Sequence, residues 1–176
     1  MRLLLAGLSA GVLVLGACGP AAVAPTASPT VAATPTPTPA PTPQLKFVFT
    51  ADLKTSNEVP PITDAEASCS GTGTLTLTGT TAKFDVSITG CPASAVINIG
   101  HIHEAAAGVN GSVVIDSTLK AGELTLTAGA VTFSRTNTNA DPAVIARLLA
   151  NPAGFYMNFH SAVHGGGVIR GQLTKA

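Results

Sequence analysis

An all-β fold, a Greek-key-like β-sandwich of about seven to nine short strands with one short helix, is predicted for residues 45–176 by three observations. Apolar and polar residues alternate with period two in several short runs. Clusters of Gly, Thr and Asn separate those runs. A single segment carries both a helix-capping signal and an apolar helical face.

Taken in order, the run LKFVFTADL at 45–53 puts Leu45, Phe47, Phe49, Ala51 and Leu53 on one side and Lys46 and Thr50 on the other. GTLTLTG at 73–79 and AKFDVSITG at 82–90 repeat the device, with Leu75 and Leu77 inward on one strand and Phe84, Val86 and Ile88 inward on the next. A short polar turn at Thr80 and Thr81 joins these two as an antiparallel hairpin. Further strands are predicted at 95–103, 112–117, 123–127, 156–160 and 167–173. The helix is predicted over 141–149. Asp141 caps free N–H groups, Pro142 suits the first helical position, and Val144, Ile145, Leu148 and Leu149 form the apolar face. Asn151-Pro152 ends it.

The hairpin accounts for two of the three cysteines. Strands that pair about a centre near residue 80 or 81 set Cys69 opposite or nearly opposite Cys91, where a cross-strand disulfide meets the short Cβ separation it needs. Closing a loop of this length is worth on the order of 3 kcal/mol.

The third cysteine belongs to a different segment. MRLLLAGLSAGVLVLGACGP has one basic residue, Arg2, then an apolar run too short for a comfortable membrane span and small residues before Cys18. Leu15-Gly16-Ala17-Cys18 resembles the lipobox of bacterial lipoproteins, in which the chain is cut before the cysteine and that cysteine carries the lipid. The resemblance implies a signal peptide over residues 1–17, lipidation at Cys18, and a place in the bacterial cell envelope outside the cytoplasm. Several acyl chains, at roughly 0.8 kcal/mol per buried CH₂, would make a durable tether. Residues 18–44 then form a Pro/Thr/Ala-rich stalk without a charged residue, whose alternating Thr-Pro favours an extended chain of roughly 3 Å per residue.

About 130 residues remain to fold, enough for one domain with one core. The chain has nine basic and nine acidic residues, and without Arg2 the balance is eight against nine. No basic field exists to attract nucleic acid. Tryptophan is absent and Tyr156 is the single tyrosine, which counts against an aromatic carbohydrate platform. The expected partners are the membrane, through the N-terminal lipid, and an extracytoplasmic protein or small ligand held by local chemistry.

Residues 45–176 resemble a CHRD domain, the module named after chordin and also found in bacterial exported proteins. The resemblance rests on Asn57-Glu58-Val59-Pro60-Pro61, Gly71, the His101-Ile102-His103 stretch with Gly108 and Gly111, Tyr156-Met157-Asn158-Phe159-His160, and Gly167-Val168-Ile169-Arg170-Gly171-Gln172-Leu173. It implies an extracellular β-sandwich-like domain, and together with Cys18 and the uncharged stalk it leads to the expectation of a non-enzymatic binding or structural module.

Half of the four histidines sit in GHIHEAAAG at 100–108. On a strand His101 and His103 share a face about 6–7 Å apart, so their imidazoles are free to converge on one ion. His160 and His164 are candidates for the remaining nitrogens, and three or four imidazoles suit copper or zinc. His101-Ile102-His103-Glu104 is also similar to the strand that supplies two copper ligands in copper,zinc superoxide dismutases. No counterpart of the bridging histidine or of the zinc loop is present, which argues against dismutase turnover.

A structural role competes with the metal one. In it, imidazoles donate to carbonyls of the Gly-rich turns, Asn158 pairs with nearby backbone, and Arg170 pairs with Glu58 or Glu104. Ser161 lies beside His160, but no Gly-x-Ser-x-Gly elbow and no acidic third member support a hydrolase.

Overall fold

The computed structural model describes residues 44–176, so the predicted signal segment, Cys18 and the stalk up to residue 43 lie outside the described residues. The described residues form nine strands and one α-helix. The strands are β1 (Lys46–Lys54), β2 (Ser70–Thr78), β3 (Thr81–Thr89), β4 (Ile97–Glu104), β5 (Ser112–Asp116), β6 (Val131–Asn137), β7 (Phe155–Ser161), β8 (Ile169–Gln172) and β9 (Thr174–Lys175). The helix α1 is Pro142–Ala150.

The strands run in the order β5-β4-β7-β8-β1-β2-β3-β6, with β9 on β1, as one antiparallel sheet curled around a single core. The β8-to-β1 junction is thin, with one residue pair, Lys54 and Arg170, in register. At that corner the sheet folds over. Phe133 of β6 then meets Phe159 of β7 edge to face at 5.6 Å between ring centroids, although these strands are far apart along the sheet. The all-β expectation is therefore met in a sandwich-like form.

Alternation fixes which face of each strand fills the core. Phe49, Ala51 and Leu53 of β1, Leu75 and Leu77 of β2, and Phe84, Val86 and Ile88 of β3 are buried, as their phase requires. Leu45 departs from the pattern at 76% exposure because it precedes the first paired residue of β1. Thr78 pairs with Thr81, so Gly79-Thr80 makes a two-residue turn with φ +56° at Gly79.

That register puts Cys69 just beyond the Ser70–Thr89 pair, and Cys69 and Cys91 form the expected disulfide. It ties the end of β3 to the segment that enters β2. The helix follows its sequence signals: the Asp141 side chain accepts from Ala143 N–H, Pro142 opens it, and Val144, Ile145 and Leu148 are buried.

One expected strand is absent and one unexpected strand takes its place. Residues 123–127 form no strand; Thr127 makes an isolated bridge to Ala130. Leu124 and Leu126 pack against the core from a loop, which explains an alternation without a ladder. The ladder forms instead at β6, which pairs with β3 from Ala82–Asn137 to Ile88–Val131.

Candidate functional site

Strand β7 is buried along its whole length. Phe155, Met157 and Phe159 enter the core, and the opposite face presents Tyr156, Asn158 and His160. Its neighbours extend that outer face. His103, Tyr156 and Gln172 lie in one cross-strand row, and His101, Asn158 and Arg170 in the next. Polar side chains are thus aligned over β4, β7 and β8, and the segments around 55–66, 105–111 and 162–167 contribute the groups that bond to them.

Three imidazoles converge there. One ring nitrogen from each of His101, His103 and His160 falls within 4.8 Å of the others. His103 Nδ1 is 3.0 Å from the Gly111 carbonyl and His160 Nδ1 is 2.9 Å from the Gly165 carbonyl. A carbonyl accepts, so both Nδ1 atoms carry the proton and both Nε2 atoms keep a lone pair. His103 Nε2 is buried with no partner among the described residues. His160 Nε2 is 3.4 Å from His101 Nδ1. Bonds of about 2.0 Å in a tetrahedral site separate nitrogen donors by about 3.3 Å, so this pair already has ligand spacing.

His101 is the adaptable member. Its Nε2 lies 3.7 Å from Asp116 Oδ2, and the other oxygen of that carboxylate accepts from Thr118 N–H. With the proton on Nδ1, His101 donates to His160. With the proton on Nε2, it faces Asp116, and His101 Nδ1 is then a bare nitrogen 3.4 Å from the bare His160 Nε2. Burial holds His101, His103 and His160 below the ordinary imidazole pKa of 6.5, with mutual repulsion adding to it at His101 and His103. Neutral imidazole is the form a metal ion needs.

His164 stands apart from this group. Its carbonyl closes the turn by accepting from Ser161 and Gly167 N–H, and its Nε2 lies 2.9 Å from Asp64 Oδ2 and 3.7 Å from Glu66 Oε2 without hydrogen-bond alignment. The expected fourth imidazole therefore sits beside two carboxylates, outside the cluster of the other three. Ser161 is not poised for attack either: it is buried and its hydroxyl donates to Glu66 at 2.5 Å.

The structural partners sort as follows. Arg170 Nε donates to Glu58 Oε2 at 2.8 Å, and its other nitrogens reach Asn110 Oδ1 at 2.6 Å and the Val109 carbonyl at 3.3 Å. Glu104 was the alternative partner of Arg170; it lies on the opposite strand phase and makes a two-point pair with Arg147 of α1, 2.8 Å at each contact. Burial pushes the Glu58 carboxyl up, with Arg170 offsetting part of the shift. Asn158 departs from its expected backbone pairing. Its Oδ1 has no partner among the described residues, and its amide lies so close to Gly167 that a Cβ there would collide with it. A groove of about 850 Å³ lies over β1, β2 and β8 beside Glu58 and Arg170, and none of the three converging histidines lines it.

Sequence reasoning passed over Tyr156 and Gly111 as members of the site. The Tyr156 ring stacks on His103 at 4.8 Å and 5°, and its hydroxyl accepts from Gly111 N–H at 3.1 Å. The signal was the glycine after a strand bearing two histidines, but only the folded loop brings it to both rings.

Among comparisons with known proteins, the family model of the CHRD domain matches residues 49–173. No curated protein matches the chain significantly.

The depressed imidazole pKa values generate a pH dependence. Below pH 6.5 the unfolded chain takes up protons that the folded imidazoles refuse, so this contribution to stability is present above 6.5 and is lost as pH falls through the lower folded values. Glu58 acts in the opposite sense, because its raised folded pKa gives stability that fades as pH rises. Chelator-treated protein should lose denaturant resistance from pH 7 to pH 5, and His103→Gln should flatten that slope. Equal slopes in both proteins would contradict the assignment of neutral buried imidazoles.

Proposed function

The chain belongs to the CHRD domain family, and from that premise we propose that it is a lipid-anchored extracytoplasmic module whose working site is a three-imidazole copper or zinc site. The observation that carries the metal reading is the shared orientation of His103 and His160. Each gives its Nδ1 proton to a backbone carbonyl, at Gly111 and Gly165, which leaves each Nε2 bare, and one ring nitrogen of each falls within 4.8 Å of the other and of one on His101.

Neutral nitrogen donors without thiolate or thioether suit copper and zinc, and copper(II) binds such sites more tightly than zinc(II). His103 and His160 are buried, whereas the His101 side chain keeps 13% of its surface exposed and offers the way in. Binding one ion would require the single proton of neutral His101 to sit on Nε2, facing Asp116, instead of on the Nδ1 it shares with His160, with no net proton released. The role is one of binding and display rather than turnover. Ser161 is committed to Glu66, and the histidines, Tyr156 and Arg170 are held by fixed partners.

The anchor reading is supported by Leu15-Gly16-Ala17-Cys18 and by the uncharged stalk that follows. Among the described residues no helix is long and apolar enough to cross a membrane. The lipid on Cys18 would hold the domain at the cell envelope, with the stalk as spacer.

Two outcomes test this function. The mature protein should fractionate with membranes, require detergent for release and show the mass of an acylated Cys18; a soluble chain with an unmodified Cys18 would contradict the anchor. Calorimetric titration with elemental analysis should find one copper or zinc ion per chain near neutral pH. His103→Ala and His160→Ala should each weaken binding by more than the roughly 10–100-fold usual for an outer-shell change. Absence of stoichiometric binding for both ions would leave the histidines as hydrogen-bonding groups.

A further inference from the structure

Resting on the three-imidazole reading, we infer that Tyr156 is a positioning residue that selects the metal-binding tautomer of His103 through the backbone on either side of Gly111. Tyr156 is buried, yet it is not part of the apolar core, which takes its β7 neighbours Phe155 and Met157. It sits directly opposite His103 across the β4–β7 ladder. Its ring lies nearly parallel to the imidazole, 5° apart at 4.8 Å.

The hydrogen bonds close a circuit. Gly111 N–H donates to the Tyr156 hydroxyl at 3.1 Å, and the Gly111 carbonyl accepts from His103 Nδ1–H at 3.0 Å. One residue of the loop is therefore gripped at both ends, by the phenol and by the imidazole it orients. A side chain at Gly111 would collide with the Glu104 carbonyl, so the loop reaches this point only with glycine.

The stack has a second layer that holds the same loop. The Arg170 guanidinium lies 4.7 Å from the Tyr156 ring centroid and is fixed by Glu58. Its remaining bonds go to Asn110 Oδ1 and the Val109 carbonyl, the two residues just before Gly111. Glu58 and Arg170 thus bring the loop to the site, and the Tyr156 hydroxyl holds the Asn110–Gly111 peptide, the one before the peptide whose carbonyl faces His103.

Without that hydroxyl the Asn110–Gly111 peptide loses its acceptor, and across the glycine's wide φ and ψ the next peptide, whose carbonyl faces His103 Nδ1, is held less firmly. The imidazole then divides between two tautomers, of which only the one with a bare Nε2 serves the ion. Apparent affinity falls with the fraction of the competent form. A group that acts through a ligand in this way typically changes metal affinity about 10–100-fold.

Tyr156→Phe keeps the stacked ring and removes the hydroxyl. In long-range proton–nitrogen spectra of the chelator-treated full mature chain, wild-type His103 should carry its proton on Nδ1. The variant should show a mixture, with His160, held by Gly165, unchanged. Copper affinity should fall about 10-fold or more. A wild-type His103 protonated on Nε2, or an unchanged tautomer in the variant, would overturn the proposal.

Tyr156 is the single tyrosine, so biosynthetic replacement by 3,5-difluorotyrosine alters this position alone and avoids dependence on the folding of the Phe variant. The fluorines weaken the phenol oxygen as an acceptor, and the Gly111 amide proton should shift upfield; no shift would contradict the bond. A tautomer change in protein that binds neither copper nor zinc would defeat the metal reading and spare this one. Metal binding with an invariant tautomer would do the reverse.

Discussion

The constraint on which the molecule depends is that β7 is covered on both faces. A strand with one wet face can leave its outer side chains to water. Here the outer row of Tyr156, Asn158 and His160 is closed over, so its polar atoms must find partners inside the protein. The loop bonds follow from that requirement. Gly111 serves Tyr156 and His103, and Gly165 serves His160. What remains is informative: His103 Nε2 and Asn158 Oδ1 are buried on this face without a partner among the described residues.

The Glu58–Arg170 pair shows how the cover is held. Both side chains are almost fully buried, and removing one partner from such a pair typically costs about 3–5 kcal/mol because the other charge is stranded. The pair joins the chain after β1 to β8 and, through Asn110, to the loop after β4. The Cys69–Cys91 disulfide lies next to the turn that carries Glu66, whose carbonyl accepts from Cys69 N–H. That turn is itself bonded to the one before Glu58, where the Thr55 hydroxyl donates to the Ala67 carbonyl, so the covalent bridge and the charge pair hold adjoining parts of the cover. Burial disfavours the charged forms of the three imidazoles and holds them below the ordinary imidazole value.

Much of the architecture was legible where one face of a strand is wet. In β1, β2 and β3 the inward residues announce themselves by period two, and the hairpin register placed the two cysteines near each other before any coordinates. The same rule failed at β6, whose inward phase carries Arg135 and Asn137 after Phe133, so the leucine alternation at 124–126 looked the better strand. It also could not show that the polar phase of β7 is buried, since loops distant in sequence provide the cover. His101 and His103 were readable as a same-face pair, and His160 joined them as expected. His164 went instead to Asp64 and Glu66, and Arg170 chose Glu58 over Glu104, because tertiary placement and not residue type decides between equivalent partners. Tyr156 was legible only as part of the strand predicted at 156–160, because the bond from Gly111 N–H to its hydroxyl depends on the folded loop.

The central claim is that His101, His103 and His160 together hold one ion, and X-ray absorption spectroscopy of the copper- or zinc-loaded mature protein tests it most directly. The account predicts three nitrogen scatterers at about 2.0–2.1 Å with the outer-shell pattern of imidazole, and no sulfur at about 2.3 Å. A sulfur shell, or a nitrogen and oxygen shell without imidazole scattering, would contradict it.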